Sequence, residues 1–171
     1  TGEPGLAGVS VHLYKQGWGY LNTVTTDAEG NYQFKYLIPG KTYTVTVDLP
    51  AGYYFAQVDQ GNDEALDSDI DPTTGVSPLI IPAEDANITD LDAGMYRLTS
   101  VGERAWHDLD LDGIQDASEP GLPGIPVSLY DSSNTLVDTT TSDSSGVYTF
   151  PDIIPGVYWL AFQAPSGYGF S

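Results

Sequence analysis

Short segments in which apolar and polar residues alternate recur along the chain, separated by turns that contain glycine and proline. Residues 9–13 (VSVHL), 32–34 (YQF) and 43–47 (YTVTV) are examples. A period of two places one face of a strand in the core and the other in solvent. The 19 Gly and 12 Pro residues interrupt each apparent helical window. The pattern therefore predicts an all-β chain whose short antiparallel strands form a β-sandwich.

The turn sequences also contain an internal repeat. Residues 3–8 (EPGLAG) recur as residues 119–124 (EPGLPG), an offset of 119 minus 3, or 116. Residues 27–34 match residues 143–150 at the same offset. After a one-residue deletion the matches continue at an offset of 115. This indicates a tandem duplication.

We predict two partial copies of one module, residues 1–97 and residues 98–171. The first copy has no counterpart of residues 98–118, so it lacks the N-terminal strand and the loop that follows it. The second copy has no counterpart of residues 57–97, so it lacks its C-terminal part.

The charge of the chain narrows the choice of partners. With 24 acidic and 5 basic side chains the formal net charge is -19, and such a surface repels phosphate backbones and anionic lipids, which excludes nucleic acid. Self-repulsion makes a divalent cation the first partner to expect; the alternative is that the charge serves solubility alone.

Cysteine is absent, which excludes disulfides. No apolar run approaches the ~18 residues of a membrane span, so we predict no direct membrane insertion.

One acidic segment, residues 108–119 (DLDLDGIQDASE), has the spacing of a calcium loop. Acidic residues stand at positions 1, 3, 5, 9 and 12 of the twelve, with glycine at position 6. This is the EF-hand pattern, in which alternate residues of a tight loop direct oxygen atoms at one ion. The predicted Ca²⁺ ligands are Asp108, Asp110, Asp112, the Ile114 carbonyl, Asp116 directly or through water, and Glu119.

The residues around this segment are not those of a helical EF-hand. Pro120 follows Glu119 immediately and prevents a helix from continuing. We therefore predict that the loop connects two strands, one around residues 101–106 and one over residues 125–130.

The first copy contains a second, weaker candidate. Its acidic residues are Asp63, Asp67, Asp69 and Asp71, beside Asn62. They predict a second metal site, and a solvated acidic loop is the alternative. Glu3 aligns with Glu119 and is expected to be a ligand in a longer chain. Asp27 and Asp143 stand in matching turns, where an aspartate commonly caps its own backbone.

Several of these segments together resemble a known family. Residues 101–108 (VGERAWHD), 112–116 (DGIQD), 119–127 (EPGLPGIPV) and 154–158 (IPGVY) are similar to an SdrD B-like repeat of the serine-aspartate repeat surface proteins. The resemblance implies a Cna B-type, immunoglobulin-like sandwich that holds several calcium ions. It also implies a rigid spacer in an adhesin stalk or extracellular filament, secreted to the bacterial cell surface or cell wall.

Three classes of function follow from these observations. The leading one is a calcium-stabilised structural module whose partners are calcium ions and neighbouring modules of the same protein, with head-to-tail self-assembly as a further expectation. The alternative is an adhesin module that binds carbohydrate or a host protein. An enzyme is disfavoured, because His12 and His107 fall in different copies and no Gly-x-Ser-x-Gly motif occurs.

The aromatic residues divide between the predicted core and a candidate binding patch. Alternation places Trp106, Tyr148, Phe150 and Trp159 in the core. The residues left for an exposed binding patch are Trp18, Tyr20, Tyr53 and Tyr54.

Overall fold

The computed structural model describes residues 3–60, 67–89 and 91–171, and within these ranges all named elements are β-strands. The chain divides into two compact units, residues 1–97 and residues 98–171. None of the described residues forms a helix with the length and apolar character that crossing a membrane requires.

The described residues of the first unit form five strands. The central strand β1 pairs antiparallel with β2 and β3 in the order β2-β1-β3, and the short strand β4 pairs with β5. Their bounds are β1 Ser10–Lys15, β2 Gly19–Thr25, β3 Tyr43–Val47, β4 Tyr54–Phe55 and β5 Met95–Tyr96.

The second unit also contains five strands. The central strand β7 pairs antiparallel with β8 and β10 in the order β10-β7-β8, and β6 pairs antiparallel with β9. Their bounds are β6 Thr99–Arg104, β7 Pro126–Asp131, β8 Leu136–Thr141, β9 Val147–Ile153 and β10 Tyr158–Phe162.

The three-stranded sheet is the same structure built twice. Strand β7 lies 116 residues after β1 at both of its ends, and β10 lies 115 residues after β3. A register shift falls between Leu13 and Tyr14 against β2, and another falls between Leu129 and Tyr130 against β8. The repeated sequence therefore specifies the bulge as well as the strands.

Each unit encloses its own core, formed by the inward-facing residues of its strands as the alternation predicts. With the paired sheets, these cores give the immunoglobulin-like β-sandwich that the sequence predicts. The first core consists of Val9, Val11, Leu13, Tyr43, Val45, Val47, Phe55, Ile70 and Ile80. The second core consists of Ile125, Val127, Leu129, Tyr148, Phe150 and Ile153.

A hydroxyl that is buried in the second unit and partly buried in the first supports the start of the central strand in each unit. Ser142 accepts a hydrogen bond from the backbone N–H of Ile125 at 2.8 Å and donates one to the Leu122 carbonyl at 2.6 Å. Thr26, which is 116 residues earlier, makes the equivalent two bonds in the first unit. The hydroxyl thus satisfies two backbone groups outside the ladder.

Three sequence-based expectations require correction. Residues 32–34 are not a strand, although their counterparts lie in β9. The strand expected over residues 101–106 ends at Arg104, and Trp106 forms an isolated bridge with Gly121. Trp159 is 44% exposed rather than buried, because its ring stacks on the outer face of the sheet against Tyr130, with centroids 4.3 Å apart.

Candidate metal centre

The acidic loop connects β6 to β7, as predicted from the proline that follows it. Its base is closed by backbone hydrogen bonds from His107 N–H to the Pro120 carbonyl and from Leu122 N–H to the Ala105 carbonyl. Gly121 allows this closure, because a Cβ atom there would collide with the Ser145 backbone. The two ends of the loop are therefore held together by the fold itself.

The first half of the loop turns on its own carboxylates. Asp108 accepts hydrogen bonds from Leu111 N–H at 2.7 Å and from Gly113 N–H at 3.0 Å, and Asp112 accepts one from Ile114 N–H at 2.7 Å. Gly113 has a φ of 76°, a conformation that glycine adopts without a steric penalty. This explains the glycine at position 6 of the pattern.

These turns bring three carboxylates together. Oxygen atoms of Asp108, Asp110 and Asp112 lie within 4.8 Å of one another, the one such group of three among the described residues. Desolvation, and then the charges of Asp112, Asp108 and Glu119, raise the pKa of Asp110. The cluster is therefore electrostatically unfavourable without a counter-charge.

The pKa of Asp108 is shifted in the opposite direction. Desolvation alone raises the pKa of Asp108, but hydrogen bonds from Ser171 and from the backbone N–H groups of Gly113, Leu111 and Asp112 outweigh it, so the pKa lies below its usual value. Asp108 is consequently held in its ionised form, the form that coordinates a metal ion.

Glu119 joins the two halves of the loop. Its carboxylate oxygens accept hydrogen bonds from Leu109 N–H at 2.7 Å and from Asp116 N–H at 3.0 Å, and the residue is only 4% exposed. A carboxylate oxygen has a second lone pair, so both bonds are compatible with coordination of an ion. Ile114 and Asp116 lie in the same loop but outside the three-carboxylate group.

The donor set fits a calcium ion. Carboxylate and backbone carbonyl oxygens are hard ligands, which calcium prefers to the nitrogen and sulfur ligands of zinc or copper. Three carboxylates already lie close together, and the other predicted ligands of the loop would supply the further oxygen atoms that calcium takes.

The second candidate is less compact. Asp63 lies outside the described residues. Asp67, Asp69 and Asp71 do not meet as a group of three in the described part of the chain. One Asp67 oxygen is buried and meets no hydrogen-bond donor among the described residues, whereas Asp71 Oδ1 caps a turn by accepting bonds from Thr73 and Thr74.

The remaining predicted residues occupy separate places. Glu3 is exposed. The carboxylates of Asp27 and Asp143 cap their turns by accepting hydrogen bonds from backbone N–H groups. His12 Nε2 lies 3.0 Å from Asp48 in the first unit, and His107 belongs to the second.

Sequence reasoning missed one neighbour of the loop, the segment of residues 165–171. The Tyr168 ring contacts His107 edge-on, with centroids 5.1 Å apart, and Ser171 reaches Asp108. Neither residue carries a ligand pattern, so only the fold reveals that this segment packs beside the loop.

Comparison with known proteins assigns both units to one kind of domain. The family model of the SdrD B-like domain matches residues 1–95 and 99–171. The chain is similar to serine-aspartate repeat-containing protein D of Staphylococcus aureus strain Newman, with 38% identity over 97% of this chain. It is also 40% identical, over 96% of its length, to serine-aspartate repeat-containing protein F of Staphylococcus epidermidis. The chain spans only 12% and 10% of those relatives.

A solved structure, the Bacillus anthracis TIE protein, shares 15% identity with a TM-score of 0.42. The match covers 94% of this chain and 25% of the other.

Proposed function

The chain belongs to the SdrD B-like domain family, and from this premise we propose that it is a calcium-stabilised spacer in the stalk of a secreted bacterial surface protein. The observation that carries the proposal is the group of three carboxylates at one turn, with a buried fourth carboxylate, Glu119, joining the loop halves. Such a group repels itself at neutral pH and gains most from a cation. A stalk needs modules that keep their shape. This loop links β6 and β7, which belong to different sheets.

The residues that would hold the ion are those of the twelve-residue loop. Calcium supplies two positive charges against five carboxylates, and the loop contributes oxygen atoms from both of its ends. Because binding favours the folded loop over the unfolded chain, it stabilises the second unit by mass action. The proposed ligands are Asp108, Asp110, Asp112, the Ile114 carbonyl, Asp116 and Glu119.

A weaker site is proposed in the first unit. The buried oxygen of Asp67, which meets no hydrogen-bond donor in the part of the chain that the structure describes, supports it, with Asp69 close in sequence. Asp71 already accepts three hydrogen bonds at one oxygen, so only its other oxygen would be free to coordinate. Asp63 completes the proposed set.

The test is thermal unfolding of the whole chain in EDTA and in millimolar calcium. Extracellular calcium modules have dissociation constants of about 10⁻⁴ to 10⁻³ M, and a ligand at a hundred times its dissociation constant adds about 2.7 kcal/mol. For a unit of this size we expect the second unit's midpoint to rise by roughly 10–20 °C. Asp110→Ala and Asp112→Ala should each remove most of this rise.

The matched control is Asp138→Ala, which removes one carboxylate from the exposed face of β8 and leaves the loop intact. It should keep the full calcium-dependent rise. An unfolding curve that calcium leaves unmoved would overturn the proposal, and so would an equal response in the control and the loop variants.

The location and partners follow as parts of the same proposal. We place the chain outside the cell, at the bacterial surface or cell wall, in contact with neighbouring modules of the same protein. An adhesin module that binds carbohydrate or a host protein is the alternative, which glycan arrays would reveal as binding to defined sugars.

A further inference from the structure

One end of the first unit carries an exposed aromatic groove. Trp18, in the turn between β1 and β2, is 78% exposed, and Tyr36 is 97% exposed with a φ of 63°. Both line a groove of about 330 Å³ whose apolar lining includes Leu21, Phe34 and Ile38. Large apolar side chains gathered in this way mark an interaction surface more often than scattered ones do.

The groove is also the positive end of a very acidic chain. Lys15 and Lys35 line it, and Lys15 Nζ lies 4.4 Å from the Trp18 ring centre. Lys41, the remaining lysine of the chain, precedes Thr42, whose carbonyl accepts a hydrogen bond from Gln16 N–H beside Lys15. All three lysines thus lie at this end, although the net charge is -19.

The second unit shows that this surface is not required by the fold. At the 116-residue offset, its equivalents of Lys15, Trp18, Lys35 and Tyr36 carry neither a positive charge nor an aromatic ring. They are Asp131, Asn134, Pro151 and Asp152. The same turn and strand positions therefore accept polar and acidic residues, so the groove needs an explanation beyond folding.

The chain itself contains a surface of complementary character. Leu109, Leu111 and Ile114 are 58%, 77% and 62% exposed in the acidic loop of the second unit. The five carboxylates of that loop keep a net charge of -3 even with one Ca²⁺ bound, since five negative charges and two positive ones leave three. Exposed leucines between carboxylates match an apolar groove bordered by lysines.

We propose that the groove of the first unit binds the acidic loop of a second copy of this chain. The groove lies where β1 ends, whereas the loop lies before β7, the equivalent strand, begins. The contact therefore joins opposite ends of equivalent modules. Such a contact between different surfaces is heterologous and leaves one free groove and one free loop, so it propagates head to tail.

The first test is sedimentation equilibrium of the full chain in 2 mM calcium, at low and at high salt. We expect the average mass to rise with protein concentration and the association to weaken in high salt, because lysine–carboxylate attraction is screened. Trp18→Ser with Tyr36→Ser should weaken association at least tenfold. Lys15→Glu with Lys35→Glu should abolish it. The matched control is Asn134→Ser with Asp152→Asn, at equivalent positions of the second unit, which should associate as the unchanged chain does.

Mixing two defective chains gives the sharper test. One carries Lys15→Glu and Lys35→Glu, and the other carries Leu109→Ser and Leu111→Asn, where asparagine tolerates the positive φ of 65° at Leu111. Each should be monomeric alone, and an equimolar mixture should form dimers and nothing larger. A chain that stays monomeric to about 1 mM, or a mixture that stays monomeric, would overturn the proposal.

This proposal does not depend on calcium stabilisation, and the two fail separately. The leucine substitutions leave every proposed calcium ligand unchanged, so they should retain the calcium-dependent rise in melting temperature. If calcium left the melting temperature of the unchanged chain unmoved while that chain still associated, the calcium proposal alone would be contradicted.

Discussion

Two equivalent segments of the repeat have the same alternation of apolar residues and different structures. Residues 147–153 form β9, which pairs with β6, whereas residues 31–37 form no strand. Tyr32 and Phe34 of one segment, like Tyr148 and Phe150 of the other, point toward a core, yet Phe150 is fully buried and Phe34 only partly. Alternation thus determines which side chains face inward, and a neighbouring strand determines whether a ladder forms.

The largest expected effect tests this difference in burial. Phe150→Ala should cost the second unit about 3–5 kcal/mol, the usual range for a buried phenylalanine. Phe34→Ala should cost the first unit about 1–2 kcal/mol, because part of the ring is already in water. Native-state hydrogen exchange of the β1 and β7 amides measures the two free energies of unfolding separately.

Phe→Leu at both positions is the control, since it keeps most of the apolar volume and should reduce the difference between the units. Equal losses for the two alanine variants would mean that the partner strand contributes nothing to the burial of the ring.

The sequence predicted the fold well where the signal was local. Alternation located the central strands of both units within about two residues, and the acidic spacing located Asp108, Asp110 and Asp112, which the structure brings together. These features depend on residues close in sequence.

The errors have a common cause in distant contacts. Trp159 was predicted to lie in the core, but Tyr158, Leu160 and Phe162 are the residues of β10 that pack against it, and Trp159 lies on Tyr130 at the sheet surface. Likewise, nothing near Ser171 indicates that it reaches the loop at Asp108. Such contacts depend on how strands far apart in sequence are aligned, which periodicity does not encode.

The next prediction concerns a feature that the two units share. Ser142→Ala should cost about 1–3 kcal/mol, because the N–H of Ile125 and the carbonyl of Leu122 lose their partner in a buried place. Thr26→Val should cost the first unit a similar amount while keeping the shape of the side chain. Urea unfolding, with hydrogen exchange to separate the units, measures both.

Ser142→Thr is the control, since it keeps the hydroxyl at this site and introduces the residue found at position 26. It should retain most of the stability of the unchanged chain. If the alanine variant were as stable as the threonine variant, water would already satisfy these backbone groups, and the repeated hydroxyl would have no structural role.

The smallest expected effect concerns how the stability of each unit falls at high pH, where the tyrosine of its core ionises. Burial, with the charges of Asp92 and Asp69, raises the pKa of Tyr32 to about 12, and its hydroxyl donates to the Leu91 carbonyl at 2.9 Å. In the unfolded chain this tyrosine ionises near pH 10. Its contribution is therefore fully present below pH 10 and is lost as the pH rises toward 12, because the unfolded state releases the proton first.

Tyr32→Phe should accordingly make the first unit lose stability less steeply between pH 10 and pH 12, with little change in slope at pH 8. Tyr148 is the equivalent residue, and burial followed by the charge of Glu103 raises its pKa as well, so Tyr148→Phe should flatten the second unit's profile. Urea midpoints at pH 8, 10 and 11, compared between the two variants, measure the slopes. An unchanged slope in Tyr32→Phe would show that the phenol is as accessible to base in the folded unit as in the unfolded chain.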